Sequence, residues 1–319
     1  MGVALDELDV RIIRELTHSN HEGIAWGELS PSYAMIAKKL ACSRATIRER
    51  VERMLESGFL RTFPVQVNPS LLGLMMGAMS VDVPPAAVKE EIVRRLSLVE
   101  GMLVIATHVG SLIGLVFYYE SESDLQKKGE LIASLCDATS LRWTPMPYPR
   151  ATVELSRRDW QIVSALQRAW PRPPEAIARE LGVSTRTLRR RTKRMVEGMA
   201  ISTVVSADLG AMRGGVVANL EVNHDAGTPR AVTDAALQAD LEHYTIYAGL
   251  WAEYSMLTLV LPSITEGLKV LGKVRRVKGV SSARLDLLED RVEFYSTLRE
   301  KVERRLRLAG AGIPRLRTA

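Results

Sequence analysis

Two cysteines in 319 residues are too few for a disulfide framework or a cysteine-built zinc site. Cys42 and Cys136 lie far apart, which fits a reducing compartment, so the expected location is cytoplasmic. Uncharged apolar runs of the roughly 18 residues that a membrane helix needs are missing, and no membrane partner is expected. The opening Met1 to Asp9 is acidic, lacks an apolar core and does not read as a signal peptide. The chain shows no Ser-His-Asp or Cys-His arrangement, no phosphate-cradling glycine loop and no metal-ligand spacing. Catalytic residues, cofactor and metal are therefore all expected to be none. The adjacent acids Asp6-Glu7 and Glu90-Glu91 stand at helix starts and complement the helix dipole. Charge is the one composition term that points outward. The chain has 43 Lys and Arg against 37 Asp and Glu, a net +6 that favours an acidic partner such as nucleic acid.

What is present is a repeated text. Ile36-Ala37-Lys38-Lys39-Leu40-Ala41-Cys42-Ser43-Arg44-Ala45-Thr46-Ile47-Arg48-Glu49-Arg50 returns as Ile177-Ala178-Arg179-Glu180-Leu181-Gly182-Val183-Ser184-Thr185-Arg186-Thr187-Leu188-Arg189-Arg190-Arg191. Each copy reads as a short apolar-faced helix, a tight turn, a Ser N-cap and an arginine-rich helix. That is the grammar of a helix-turn-helix, whose second helix enters the DNA major groove. Its recurrence marks an internal duplication. Leu5 aligns with Leu155 at an offset of 150, but Ile36 aligns with Ile177 at 141. Nine extra residues therefore fall in the first copy, within the loop His18 to Ser32.

In the first copy Ile47, Val51, Met54 and Leu55 form an apolar stripe, with Arg44, Thr46, Arg48 and Arg50 wholly or partly off it. In the second, Arg186 to Arg194 holds six basic residues and no acid, a run that gains most beside phosphates. The candidate DNA-binding residues are Ser43, Arg44, Thr46, Arg48 and Arg50, and Ser184, Thr185, Arg186, Thr187, Arg189, Arg190 and Arg191. Phe59 to Val67 and Ile201 to Ser206 are expected to be the wings.

After each head the rhythm changes to βαββαβ. The first unit reads Leu74–Val83, Ala86–Leu98, Met102–His108, Leu112–Tyr119, Ser121–Cys136 and Thr139–Thr144. The second reads Gly215–Val222, Ala231–Leu241, Tyr244–Leu250, Tyr254–Leu261, Ile264–Val274 and Val280–Leu288. Thr144 to Arg150 is Pro-rich and exposed in character, the expected linker between halves. Asp290 to Leu308 reads as a charged helix and 309–319 as a basic, disordered tail. The expected fold class is α+β, two winged helix-turn-helix domains (1–68 and 152–208) alternating with two ferredoxin-like domains (70–146 and 211–290), then the segment 291–319.

Leu8-Asp9, Ile36-Ala37 with Leu40, Ser43 with Val51 and Arg53, and Gly58-Phe59-Leu60-Arg61, followed by βαββαβ, resemble the Lrp/AsnC (feast/famine) transcription regulators. The resemblance runs through nearly the whole chain twice, as a tandem fusion. It implies a sequence-specific regulator of double-stranded DNA whose βαββαβ domains pair through their sheets. The pairing is either within one chain, as a pseudo-dimer, or between copies, as a homo-oligomer. The resemblance also implies a small-molecule effector of unknown identity, at His108, Gly110, Ser111, Ala252 and Tyr254. Here the chain departs from the family's Gly-x-x-Asp turn: it has Gly110-Ser111-Leu112-Ile113 and Ala252-Glu253-Tyr254-Ser255. The heads differ at Ala45 against Arg186 and Glu49 against Arg190, so unlike half-sites are expected.

Two other classes compete. Sirohaem decarboxylases resemble the same family and would use His108 or His243-Tyr244, Tyr247, Trp251 and Tyr254 around a tetrapyrrole, but have no use for Arg189-Arg190-Arg191. An architectural DNA-binding protein of low specificity would be told apart by its affinity for competitor DNA.

Overall fold

The computed structural model describes residues 2–18, 33–146, 148, 150–168, 173–250 and 254–310. The chain opens with strand β1 (Val3–Ala4) and helices α1 (Glu7–His18), α2 (Tyr33–Lys39) and α3 (Arg44–Glu56). Asp6 and Asp9 start α1 by reciprocal capping: the Asp9 amide donates to Asp6 Oδ1 at 2.9 Å and the Asp6 amide to Asp9 Oδ2 at 3.0 Å. Short strands β2 (Leu60–Thr62) and β3 (Val65–Val67) follow. Then come β4 (Met75–Asp82), α4 (Lys89–Leu96), β5 (Met102–His108), β6 (Leu112–Tyr119), α5 (Glu122–Cys136) and β7 (Ser140–Pro145).

The second half repeats this order with α6 (Arg157–Arg168), α7 (Pro174–Glu180), α8 (Thr185–Glu197), β8 (Ile201–Thr203) and β9 (Ser206–Ala207). A two-residue β10 (Met212–Arg213) pairs with β1. The second βαββαβ run is β11 (Val216–His224), α9 (Arg230–Leu241), β12 (Thr245–Leu250), β13 (Tyr254–Leu261), α10 (Ile264–Val274) and β14 (Val280–Glu293). Helix α11 (Ser296–Gly310) ends the described chain. Of the expected features, Trp251 and Ala252, most of the loop after His18 and residues 311–319 lie outside the described residues.

The βαββαβ strands join into one antiparallel sheet of eight, ordered β12-β13-β11-β14-β5-β6-β4-β7. Each unit contributes four strands, with its own apolar core under its two helices. The seam is the end of β14 against β5, from Leu288 opposite His108 to Glu293 opposite Val104. The pairing of the two units is therefore within the chain. The sequence reading ends this strand at Leu288 and begins a helix at Asp290; the chain instead stays extended to Glu293. The partner strand decides the matter, because the N–H and C=O groups of 288–293 find theirs on β5.

Arg142 on β7 reaches Glu221 on β11 at 3.0 Å, though four strands separate them in the sheet order. At about 4.8 Å per strand a flat sheet would hold them far apart, so the sheet folds back with its two helix-free faces opposed.

The expected wings are not self-contained hairpins. β2 pairs with β9 and β3 with β8, each strand meeting one from the other half. Strands of two or three residues cannot satisfy their own backbone, and the matching segment of the other half supplies the missing edge. The cores cross in the same way. Ile12, Ile47, Val51 and Phe59 of head one are continuous with Val217, Ile246 and Val260 of the second unit. Ile162, Ile177, Leu188 and Met195 of head two are continuous with Val65, Val67 and Tyr118 of the first half, and with Leu298 and Val302 of α11. The expected exposed linker is anchored too. Met146 is buried, its amide donating to the Met76 carbonyl at 2.9 Å, and the Tyr148 hydroxyl meets Ser202 Oγ at 3.3 Å.

Candidate nucleic-acid interface

The two arginine-rich helices start identically. Ser43 Oγ accepts from the Thr46 amide at 3.0 Å, and Ser184 Oγ from the Thr187 amide at 3.1 Å. The hydroxyls of each Ser and Thr also meet, at 2.8 and 2.9 Å, so both Thr side chains are engaged by the caps. Neither first turn carries an acid, which leaves the positive end of each helix dipole uncompensated.

One face of each helix is core: Ile47, Val51 and Met54 in α3, and Leu188, Thr192 and Met195 in α8. Thr192 fits there by donating its hydroxyl to the Leu188 carbonyl at 2.8 Å. The opposite face of α3 exposes Arg44, Ala45, Arg48 and Glu49. That of α8 exposes Arg186, Arg189, Arg190 and Lys193. Arg189 and Lys193 make only loose, solvent-exposed pairs with Glu175 at 3.6 Å and Glu197 at 3.7 Å, which are weak holds. Arg186 and Arg190 have no ion pair among the described residues. Thr185 is half-buried at the first position of α8.

Arg50 and Arg191 behave differently from their neighbours. Arg50 is turned back onto Asp6 and Asp9, and Arg53 also binds Asp9. Arg191 donates to Asp159 at 2.9 Å and Arg194 to Asp159 at 2.6 Å. The Asp9 and Asp159 carboxylates are fully buried. Burial pushes the Asp159 carboxyl up; hydrogen bonds from Ser156 and Arg191 and the Arg194 charge outweigh it and hold the group below its ordinary value. Sequence reasoning used Asp9 only within the Leu8-Asp9 resemblance and passed over Asp159, and it assigned neither as an arginine anchor. Their signal was the capping spacing Asp6-x-x-Asp9 and Ser156-x-x-Asp159.

Of the effector candidates, His108, Gly110 and Ser111 lie at the turn between β5 and β6, and Tyr254 lies in the other unit. His108 is 2% exposed, with Nε2 at 3.0 Å from the Asn219 amide, and the Thr258 hydroxyl donates to Asn219 Oδ1 at 3.0 Å. Burial above all lowers the His108 pKa to about 4. Gly110 holds a left-handed turn at φ 98°, and Ser111 Oγ donates to Asp82 at 3.0 Å. Tyr254 lies in the other unit beside Thr144, its hydroxyl pushed up to about 12 chiefly by burial. Among the described residues there is no group of three or more His, Cys, Asp or Glu able to hold a metal, and no helix long and apolar enough to cross a membrane.

A family model matches in head two. Residues 155–196 match the AsnC-type helix-turn-helix domain. An uncharacterized HTH-type transcriptional regulator of Pyrococcus furiosus is 36% identical over 87 residues, which is 27% of this chain and 53% of that protein. The HTH-type transcriptional regulator Ptr1 of Methanocaldococcus jannaschii is 30% identical over 87 residues, with the same shares. The matched stretch thus spans about half the length of these curated relatives. Among solved structures, the siroheme decarboxylase NirDL superimposes with a TM-score of 0.54 over 95% of this chain and 99% of its own, at 16% identity. That likeness speaks for the shared fold alone. Residues 155–196 are thus similar to the AsnC-type helix-turn-helix domain, and the relatives that match part of the chain are HTH-type transcriptional regulators.

Proposed function

We propose that the chain is a sequence-specific transcription regulator of double-stranded DNA that carries both of its reading heads in one polypeptide. The observation that supports this best is the outward face of α8. Arg186, Arg189 and Arg190 are exposed there, while Arg191 and Arg194 are spent on Asp159. A surface that set aside two arginines for structure and left three outward suits phosphate and base contact. In head one Arg48 stands where head two has Arg189, and Arg44, at the place of Thr185, is the other exposed arginine. Arg50 and Arg191 are positioning residues that fix the angle of α3 and α8.

In this reading the chain is a tandem of 1–68, 70–146, 152–208, 211–290 and 291–319, and one chain is a pseudo-dimer. The crossed strand pairs and crossed cores support that arrangement. The heads are unlike, so the half-sites are unlike. Arg186 and Arg190 each stand where head one has Ala45 and Glu49, and an arginine set bidentate on guanine discriminates by about 1–3 kcal/mol. Such a regulator works where the DNA is, in the cytoplasm. The tetrapyrrole-enzyme reading has only the shared fold behind it, and His108 is closed in by Asn219.

Selection from a random DNA pool, then fluorescence anisotropy across a salt series with competitor, tests the proposal. The expected result is an asymmetric site, competitor-resistant binding and a steep salt slope, all weakened by Arg186→Ala/Arg190→Ala. Equal affinity for competitor replaces it with the architectural reading. No binding at low salt removes both, and incubation with sirohaem then becomes the informative assay.

A further inference from the structure

Where head two meets the first half and the C-terminal helix, the chain walls a cavity of about 230 Å3. Its lining includes Pro64 and Gln66 beside and in β3, Gln167 of α6, and Tyr295, Ser296 and Arg299 at the start of α11. Two side-chain amides line it with nothing to bond. Gln66 is 7% exposed, and its Oε1 is buried without a partner; Gln167 Oε1 is buried without a partner as well. A buried polar atom left unpaired costs about 1–3 kcal/mol. Both residues line the cavity, so a turn of either side chain brings its amide to a ligand there.

The charge of that place is positive. Helix α11 begins at Ser296 with no acid in its first turn, so its free amides and the positive end of its dipole lie at the cavity edge. Arg299 stands one turn on and makes no ion pair among the described residues. Glu293, just before the helix, is already occupied, by Arg291 at 2.9 Å and by the Tyr295 hydroxyl at 2.6 Å. The volume suits a small acid.

We propose that this cavity binds a small organic anion, a compact molecule carrying one carboxylate or phosphate group. Arg299 and the first turn of α11 take the anionic head, and the amides of Gln66 and Gln167 take the polar body, turning N–H₂ or C=O inward as the ligand requires. The walls belong to three pieces of the protein: head two, the crossing strand of the first half, and the C-terminal helix. A bound ligand ties them together and fixes head two against the sheet, favouring one head orientation by its affinity for that state. Binding itself does not depend on the DNA-binding reading and is measured without DNA.

The test is calorimetric titration and thermal melting of the full chain with inorganic phosphate, acetate and succinate, against chloride at equal ionic strength. The expected result is a saturable rise in melting temperature with phosphate or with a carboxylate, and the anion that acts identifies the head group. Arg299→Ala and Gln167→Leu should each weaken that binding by about tenfold or more. Arg299 is exposed, so Arg299→Ala should leave the unliganded melting temperature unchanged. The proposal is overturned if no anion exceeds chloride at millimolar concentration, or if the Arg299→Ala protein responds as the parent does.

Discussion

Asp9 and Asp159 hold the same post in the two heads. Each is fully buried in the first turn of its helix, bonded to the residue three before it, and clasped by two arginines of its own head's third helix. The arginines lie 41 and 44 residues ahead in head one, and 32 and 35 ahead in head two. The difference, 41 − 32 = 9, equals the nine extra residues that the sequence places between the first two helices. The clasp is therefore kept across an insertion, which supports the reading of the halves as a tandem repeat.

Asp159→Asn keeps the shape and removes the charge. It should destabilise the protein by about 2 kcal/mol, since two charge-assisted hydrogen bonds weaken and two arginines lose their anion. The carboxyl is held below its ordinary 3.8, so its contribution is fully present above that pH and is lost as pH falls through the lower, folded value. Urea unfolding should show a gap between parent and variant at neutral pH that narrows as pH falls below 3.8. A gap of constant size would mean that the loss is steric and not electrostatic.

Arg190 and Arg191 are neighbours with opposite assignments. Arg190→Ala should lower DNA affinity at every salt concentration and reduce the salt slope by about one, with stability unchanged within about 0.5 kcal/mol. Arg191→Ala should lower stability first, through the loss of its bond to Asp159. Anisotropy and denaturation on the same two proteins check the pair, and identical behaviour in both assays would dissolve the distinction.

The turn before each recognition helix needs a left-handed residue. Head two uses Gly182 at φ 61°, and head one uses Ala41 at φ 53°. A Cβ in that conformation costs about 1–2 kcal/mol, offset in part by glycine's larger unfolded-state entropy. Ala41→Gly should therefore stabilise by about 0.5–1 kcal/mol. Gly182→Ala should do the reverse, and space is not the cause because nothing lies within 4 Å of the added carbon. Thermal melting of the two variants would show opposite signs; a loss in both would point to a role for the Ala41 methyl in packing.

The heads and the βαββαβ order were legible because their signals are local. Ser43 and Ser184 cap three residues ahead, and apolar stripes such as Ile47-Val51-Met54 announce their own period. The strand partners of β2, β3, β8 and β9 were not legible. Strands this short carry no mark of which half supplies their edge. The extension of β14 was hidden by Glu289-Asp290-Arg291, charges that read as a helix start until β5 is present to pair with them. Arg50 and Arg191 stood in the basic run like the rest, each three residues past a core position. What separates them is a buried aspartate on another helix, which no window along the chain contains.

His108 joins the two halves at their seam, and its protonation should loosen them. The ring sits on β5 with Nε2 facing the Asn219 side-chain amide of β11, so the neutral form accepts there and a protonated form would set donor against donor. Burial does most to lower its pKa to about 4; the Leu112 backbone and the Glu289 charge oppose this, and Arg284 and Lys89 add to it. Because the folded value lies below the ordinary 6.5, the unfolded chain takes up the proton first on acidification. The stabilisation is complete above pH 6.5 and is lost between there and about pH 4, at a cost of roughly 3 kcal/mol. His108→Gln stays neutral throughout and keeps a polar partner for Asn219. Its stability should fall less than the parent's between about pH 7 and pH 4.5 in urea titrations, so that the two curves converge. His224, also lowered by burial, titrates in both proteins and cancels from the comparison. Parallel curves would show that the seam does not feel the proton.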